Sequence, residues 1–248
     1  MSAVLTIARR EISAYFASPI AYVVTVVWLV WCGLQFWLLA GVFASGPSVS
    51  ASANPLSAFF GGSVLFFIPL LVFAPVLTMR LLAEERQTGT LESLLTAPIT
   101  PGDVVLGKYL AALTFWVGLW IPTLMYVWIT SQFGRIDAGA VTASYLGVFG
   151  IGLYYMAIGL AMSALAKNQI VAALLTFMLL SGLFAVGLLS FVDTFSDQRE
   201  AIDYISLWGH MQAFSKGIVD TRFLVFDVTL AGLFVYLAWR ALDGRRES

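Results

Sequence analysis

The sequence predicts an all-α membrane protein with six transmembrane helices, and three observations carry that prediction. Hydrophobic residues make up 60% of the 248, and the mean hydropathy is +0.91. Charged residues are 11%, against about a quarter in a typical soluble domain. No charged residue occurs from Ser13 through Met79, a stretch too long for a single crossing of about 20 residues. The net charge of −1 provides no field for steering nucleic acid, so none is expected as a partner. Cys32 is the one cysteine, which excludes an intrachain disulfide and a cysteine-based metal site.

Residues 3–16 read as an interfacial helix. Leu5, Ala8, Ile12, Tyr15 and Phe16 share one face and Thr6, Arg10 and Ser13 lie opposite, with Ile7 breaking the pattern. Arg9, Arg10 and Glu11 precede an apolar run longer than a signal h-region, so that run is expected to stay as a span. The small, turn-prone residues 44–55 divide the uncharged stretch. The spans are then placed at 20–43, 59–79, 108–130, 141–165, 169–191 and 224–242. Between the second and third lies a polar loop, 80–107, and between the fifth and sixth a mixed segment, 192–223. In that segment Gly209 and Gly217 are expected to interrupt the helical pattern, leaving two short helices over the bundle.

Six spans put both termini on one side. Arg9, Arg10, Arg80, Arg86, Lys108, Lys167, Arg240, Arg245 and Arg246 lie on that side, nine cations against Arg135, Arg199, Lys216 and Arg222 opposite. The asymmetry predicts cytoplasmic termini in a cell (inner) membrane and makes 192–223 external.

Ionisable groups are nearly absent from the spans, with Asp227 expected at headgroup depth near one end of the last. Ion-coupled carriers place carboxylates, histidines or cations on their pathway, so the energy for any transport is expected from outside the spans. Pro69, Pro75 and Pro122 should bend their helices. Ala143/Gly147, Ala157/Ala161 and Gly159/Ser163 form small pairs that favour close helix packing. Trp28, Trp31, Trp37, Trp116, Trp120, Trp128 and Trp239 read as interfacial anchors. Gln35, Asn168 and Gln169 read as helix–helix hydrogen-bonding groups.

Catalytic chemistry is poorly represented. Gly102 to Lys108 fits G-x-x-x-x-G-K, but Tyr109 stands where Ser or Thr would hold magnesium, and no strand precedes it. Val104, Val105 and Leu106 look instead like the apolar start of a helix. The single histidine, His210, cannot build a zinc site alone and reads as a hydrogen-bonding residue at a helix end. Glu84 and Glu85 are adjacent, so on a helix they diverge by about 100° rather than converge. An intramembrane lipid-modifying enzyme therefore has no catalytic group to rest on.

The loop 80–107 carries Arg80, Glu84, Glu85, Arg86, Glu92, Asp103 and Lys108. Thr90 is placed to cap a short helix with Glu92 in its first turn, and Leu91, Leu94 and Leu95 fall on one face. Pro98 and Pro101 close the unit. Its leucine face can rest on the membrane or dock on a protein.

This loop is where the sequence resembles a known family. Met79-Arg80, Glu84-Glu85-Arg86, the run Gly89-Thr90-Leu91-Glu92-Ser93-Leu94-Leu95-Thr96-Ala97-Pro98 and Gly107-Lys108-Tyr109 resemble permease subunits of type-2 ABC transporters. Arg10-Glu11 with Ser18-Pro19-Ile20-Ala21-Tyr22, Ala166 to Gln169, and His210, Phe214, Gly217, Asp220 and Arg222 resemble the gliding-motility-associated branch. Phe223 departs from that branch, where an acidic residue is common.

The resemblance implies a cytoplasmic coupling helix between spans two and three, seated in a separate ABC ATPase subunit that holds ATP and magnesium. No cofactor is implied in this chain. Arg80, Glu84, Glu85 and Arg86 would form the hinge and Thr90, Leu91, Glu92, Leu94 and Leu95 the contact, with Gly89 between them among the ATPase-coupling residues. Trp208, His210, Phe214, Asp220 and Arg222 would form an external gate or lid. A second permease copy or a homologous permease, an auxiliary subunit with a large soluble domain, and membrane lipid are the further partners implied. The expected function is export by alternating access. The alternatives are an ATPase-coupled mechanical transmitter and a membrane assembly scaffold.

Overall fold

The computed structural model describes residues 3–44, 55–61, 63–90, 99–133, 136–189, 202 and 204–246. It is about 89% helical, with no strand among the described residues. The order is α1 (Ala3–Ala17), α2 (Pro19–Ala44), α3 (Pro55–Phe60), α4 (Val64–Thr78), α5 (Ala83–Gln87), α6 (Pro101–Trp120), a 3-10 turn at Ile121–Thr123, α7 (Leu124–Phe133), α8 (Ala138–Leu165), α9 (Gln169–Leu188), α10 (Leu207–Ser215) and α11 (Thr221–Arg246). Among the described residues five stretches are long and apolar enough to cross a membrane: Pro19–Phe43, Pro101–Phe133, Ala138–Leu165, Gln169–Leu188 and Thr221–Gly244.

The stretch read as one span at 59–79 is broken. Gly61 ends α3 and Ser63 caps α4, accepting from the Leu65 N–H at 3.1 Å. The backbone of α10 presses on the break, so close that a Cβ on Gly61 would meet the Met211 carbonyl. α4 itself has 15 residues, about 22 Å of helix, with Pro69 and Pro75 inside it. Pro69 has no N–H to offer the Leu65 carbonyl four residues back. The Trp31 indole of α2 supplies that donor at 3.0 Å. Pro122 lies in the 3-10 turn between α6 and α7, where the expected helix interruption occurs.

α8 is the axis of the bundle, and its glycines set the approach of its neighbours. A Cβ on Gly147 would strike Phe214 of α10, on Gly150 Asp227 of α11, on Gly152 Trp116 of α6, and on Gly159 Thr78 of α4. The small residues of this helix therefore pack within the chain, and α11 lies along it most extensively. α2 buries one stripe, Ala21, Val24, Trp28, Cys32 and Gln35, at three- and four-residue spacing, while Val23, Val26, Val30, Leu34 and Trp37 stay exposed. An apolar exposed face of that kind suits lipid.

Two sequence expectations change here. Trp28, Trp116 and Trp120 are core residues rather than interfacial anchors, whereas Trp37 and Trp128 remain exposed. Large rings fill the space between helices, and two of the three indoles find carbonyls there: Trp28 donates to Leu119 at 3.1 Å and Trp116 to Val148 at 3.2 Å. The buried side of α1 is also rotated. Ile7 and Ala8 face the bundle, while Leu5 is exposed and Phe16, though 56% exposed, still meets the Phe115 ring of α6 at 6.1 Å. Gly107 of α6 causes the shift, because α1 crosses it so closely that a Cβ there would meet Ile7 and the Val4 carbonyl. Gln35 donates to the Phe59 carbonyl at 3.0 Å, as a helix–helix group should.

Candidate functional site

The polar loop is anchored where α4 ends and α5 begins. A five-residue helix cannot satisfy its own terminal groups. Ser163 of α8 does it instead: its Oγ accepts from Leu82 and Ala83 N–H at 3.0 Å each and donates to the Met79 carbonyl at 3.2 Å. Arg86 donates from Nη1 to the carbonyls of Leu165 (3.2 Å) and Ala166 (2.8 Å), at the C-terminal end of α8. A cation there also complements the negative end of the helix dipole.

Deeper in, Lys108 of α6 is 2% exposed and its Nζ lies 2.9 Å from Glu11 Oε1 of α1 and 2.8 Å from Glu85 Oε1 of α5. One ammonium thus ties the N-terminal helix, the polar loop and a membrane-length helix together. Such a cation is buried at tolerable cost only because its protons are taken by charged acceptors. The second Glu85 oxygen, Oε2, is buried without a hydrogen bond.

At the rim of this junction Arg80 pairs with Glu84 through Nε (2.7 Å) and Nη2 (2.9 Å) and donates to Ser18 Oγ at 3.2 Å. The hydrogen-bonded guanidinium holds the Glu84 carboxyl below its ordinary range. The Tyr15 phenol donates to the Leu77 carbonyl at 2.8 Å. Burial first, then the Glu11 charge, push that phenol up, with Arg80 opposing. A cavity of about 100 Å³, reached by Tyr15, Ser18 and Arg80, lies between α1, α2 and α4.

The predicted hinge residues Arg80, Glu84, Glu85 and Arg86 all meet at this junction. Glu84 and Glu85 diverge to different cations, as their adjacency required. Gly89 has φ +74°, the left-handed region that favours glycine, and turns the chain away from α5. The Thr90 and Thr88 hydroxyls are 3.0 Å apart. Leu91, Glu92, Leu94 and Leu95 lie outside the described residues. Gly102 to Lys108 is helical throughout, so the G-x-x-x-x-G-K fit is the opening turns of α6.

The second predicted set divides. Trp208, His210 and Phe214 are on α10, where Trp208 stacks on Phe67 of α4 (4.8 Å) and Phe214 sits against Gly147. Ser206 caps α10, and Gly209 lies inside it, so that glycine does not break the helix as expected. Gly217, at φ +81°, does end the segment. Asp220 accepts from the Arg222 N–H at 2.8 Å and serves as a turn at the start of α11, apart from the α10 trio. Asp227, near the start of α11, is 1% exposed and turned inward against the bundle, with Oδ1 3.5 Å from His210 Nδ1.

Sequence reading missed Glu11, Ser163 and the role of Lys108. The signal for Lys108 was present. Thr100-Pro101-Gly102-Asp103 forms a capping box, so α6 starts seven residues before the expected 108 and Lys108 lies two turns inside it. A lysine that deep in an apolar helix requires a buried partner.

The family described as ABC-2 family transporter protein matches the chain over residues 5–225. No curated protein matches it.

Proposed function

The chain belongs to the ABC-2 transporter protein family, and from that premise we propose that it is a permease subunit driven by a separate ABC ATPase through the 80–107 loop. Members of this family are multi-pass membrane components of transport systems and are generally not themselves catalytic. The observation that carries the proposal is the buried junction of Lys108 with Glu11 and Glu85, reinforced by Ser163 and Arg86. A loop that merely rests on a membrane has no need of a buried three-way ion cluster at its root.

In this reading the ATPase grips the leucine face of residues 90–95, and ATP with magnesium stays on the partner. Closure of the ATPases displaces the loop. Arg86 and Ser163 deliver that displacement to the end of α8, and Lys108 delivers it to α6 and α1. Both membrane-length helices then re-angle together. The loop and both termini face the cytoplasm, in keeping with the Lys/Arg asymmetry. Transport is outward, two permeases act as a pair, and the branch nearest to the chain is the gliding-motility-associated one, on the likeness of residues 10–22 and 210–222.

Leu94→Asp places a charge in the contact face. The expected result is loss of ATPase co-purification with membrane insertion intact. Undiminished co-purification overturns the assignment of the contact.

A further inference from the structure

We propose that His210 and Asp227 together bind one proton inside the bundle and that this proton fastens α10 to α11. The imidazole fixes the first proton. Its Nε2 lies 2.9 Å from the Tyr204 carbonyl oxygen, and a carbonyl only accepts, so Nε2 carries hydrogen. Nδ1 then faces Asp227 Oδ1 at 3.5 Å. With no further proton, both facing atoms offer only lone pairs. Nδ1 and both Asp227 oxygens are buried and have no hydrogen-bond partner among the described residues.

An ionised carboxylate left in that condition carries an uncompensated desolvation cost of several kcal/mol, as a rough general magnitude. A single proton between the two groups removes the conflict. Imidazolium with carboxylate, and imidazole with carboxylic acid, contain the same number of protons, so the stoichiometry of the pair is one whichever atom holds it.

Aromatic rings flank the pair. Phe223 stacks on the imidazole at 4.2 Å and Phe226 meets it edge-on at 5.6 Å. Gly150 of α8 leaves the space that an Asp227 oxygen occupies. The titratable group that α8 turns toward the carboxylate is Tyr154. The sequences of α3, α4 and α9 contain no ionisable side chain, and α10 contains none besides His210. At the start of α11, Arg222 is exposed and the Asp220 carboxylate is turned to the Arg222 N–H.

The sign follows directly. The pair holds its proton when α10 and α11 are together, so the fastening is present at low pH and is lost as pH rises through the point where that proton leaves. The site thus couples the position of α10, over the bundle, to proton availability on its own side of the membrane.

His210 is the only histidine in the chain, so ring nitrogen-15 spectra of histidine-labelled full-length protein in lipid nanodiscs read this site alone. Nε2 is expected to keep its proton across the titration while the Nδ1 signal changes. In Asp227→Asn the amide serves Nδ1 without an added proton, and the pH of that change should fall by at least about one unit, a tenfold loss of proton affinity. An unmoved titration, or a tautomer with hydrogen on Nδ1 alone, overturns the proposal. The unaltered protein supplies a second test. Amide exchange across Leu207–Ser215, corrected for its intrinsic base catalysis, should rise through the same pH as the Nδ1 change, and protection that stays flat there overturns the fastening.

Discussion

α8 meets buried charge at its C-terminal end and again near its middle, and the two places hold it in opposite ways. At the Ser163 end a cation sits between two carboxylates, the Leu82 and Ala83 N–H groups and the Met79 carbonyl are met by a hydroxyl, and the Leu165 and Ala166 carbonyls by a guanidinium. At Gly150, near the middle and about 20 Å away along the helix, a carboxylate and an imidazole face each other with no proton donor between them among the described residues. The first arrangement is complete as built, apart from one Glu85 oxygen. The second is complete only when a proton is added. The first place is therefore held under all ordinary conditions, and the second is conditional.

The comparison breaks most readily at Lys108. Lys108→Met leaves Glu11 and Glu85 in place without their cation and should cost about 3–5 kcal/mol, read from thermal or denaturant unfolding in detergent micelles. The triple variant with Glu11→Gln and Glu85→Gln should recover most of that stability, because a buried ion group replaced as a whole is close to neutral. It should not recover ATPase stimulation. A single variant as stable as the parent would show that the cluster does not hold the junction.

Gly150→Ala sharpens the second place. The added methyl meets Asp227 Oδ2, and overpacking of this kind typically costs about 1–3 kcal/mol. Gly182→Ala on α9 is the control, since nothing lies within 4 Å of a Cβ there. That change should be neutral or gain about 0.5–1 kcal/mol from helix propensity. Equal losses at the two positions would mean that Gly150 is not there to admit the carboxylate.

These contrasts also mark what was legible in the sequence. The all-helical membrane class, the helices from residues 3, 19, 138, 169 and 221, and the gathering of Arg80, Glu84, Glu85 and Arg86 follow from local signals: apolar length, caps, and charge density between apolar runs. The contacts that make the junction work do not. Ser163 is 81 positions from Leu82, and Lys108 is 97 from Glu11. Periodicity places a side chain on a face of its own helix and says nothing of which distant helix meets that face. The His210–Asp227 pair was hidden for the same reason, with the added disguise that the glycine admitting it lies on a third helix. The tryptophans misled because a large amphipathic ring is equally suited to a membrane interface and to a carbonyl freed by proline, and Trp31 takes the second role at Pro69.

The smallest expected effect separates the rim of the junction from its centre. Arg80 and Glu84 are about a third exposed, so their pair is screened by water and salt, and Arg80→Gln should cost no more than about 1 kcal/mol. Its pH dependence is nonetheless diagnostic. Arg80 lowers the Glu84 carboxyl from its ordinary value, so the stability it contributes is present above about pH 4.3 and is lost as pH falls through the lowered value. The difference in unfolding temperature between the parent and Arg80→Gln should therefore shrink toward acid pH. It should shrink also in about 1 M salt, where the screening length is about 3 Å. The Lys108→Met difference, arising where solvent ions do not reach, should persist in salt. If both differences collapse together, the centre of the junction is as wet as its rim, and rigid transmission from the loop to α6 and α1 loses its physical basis.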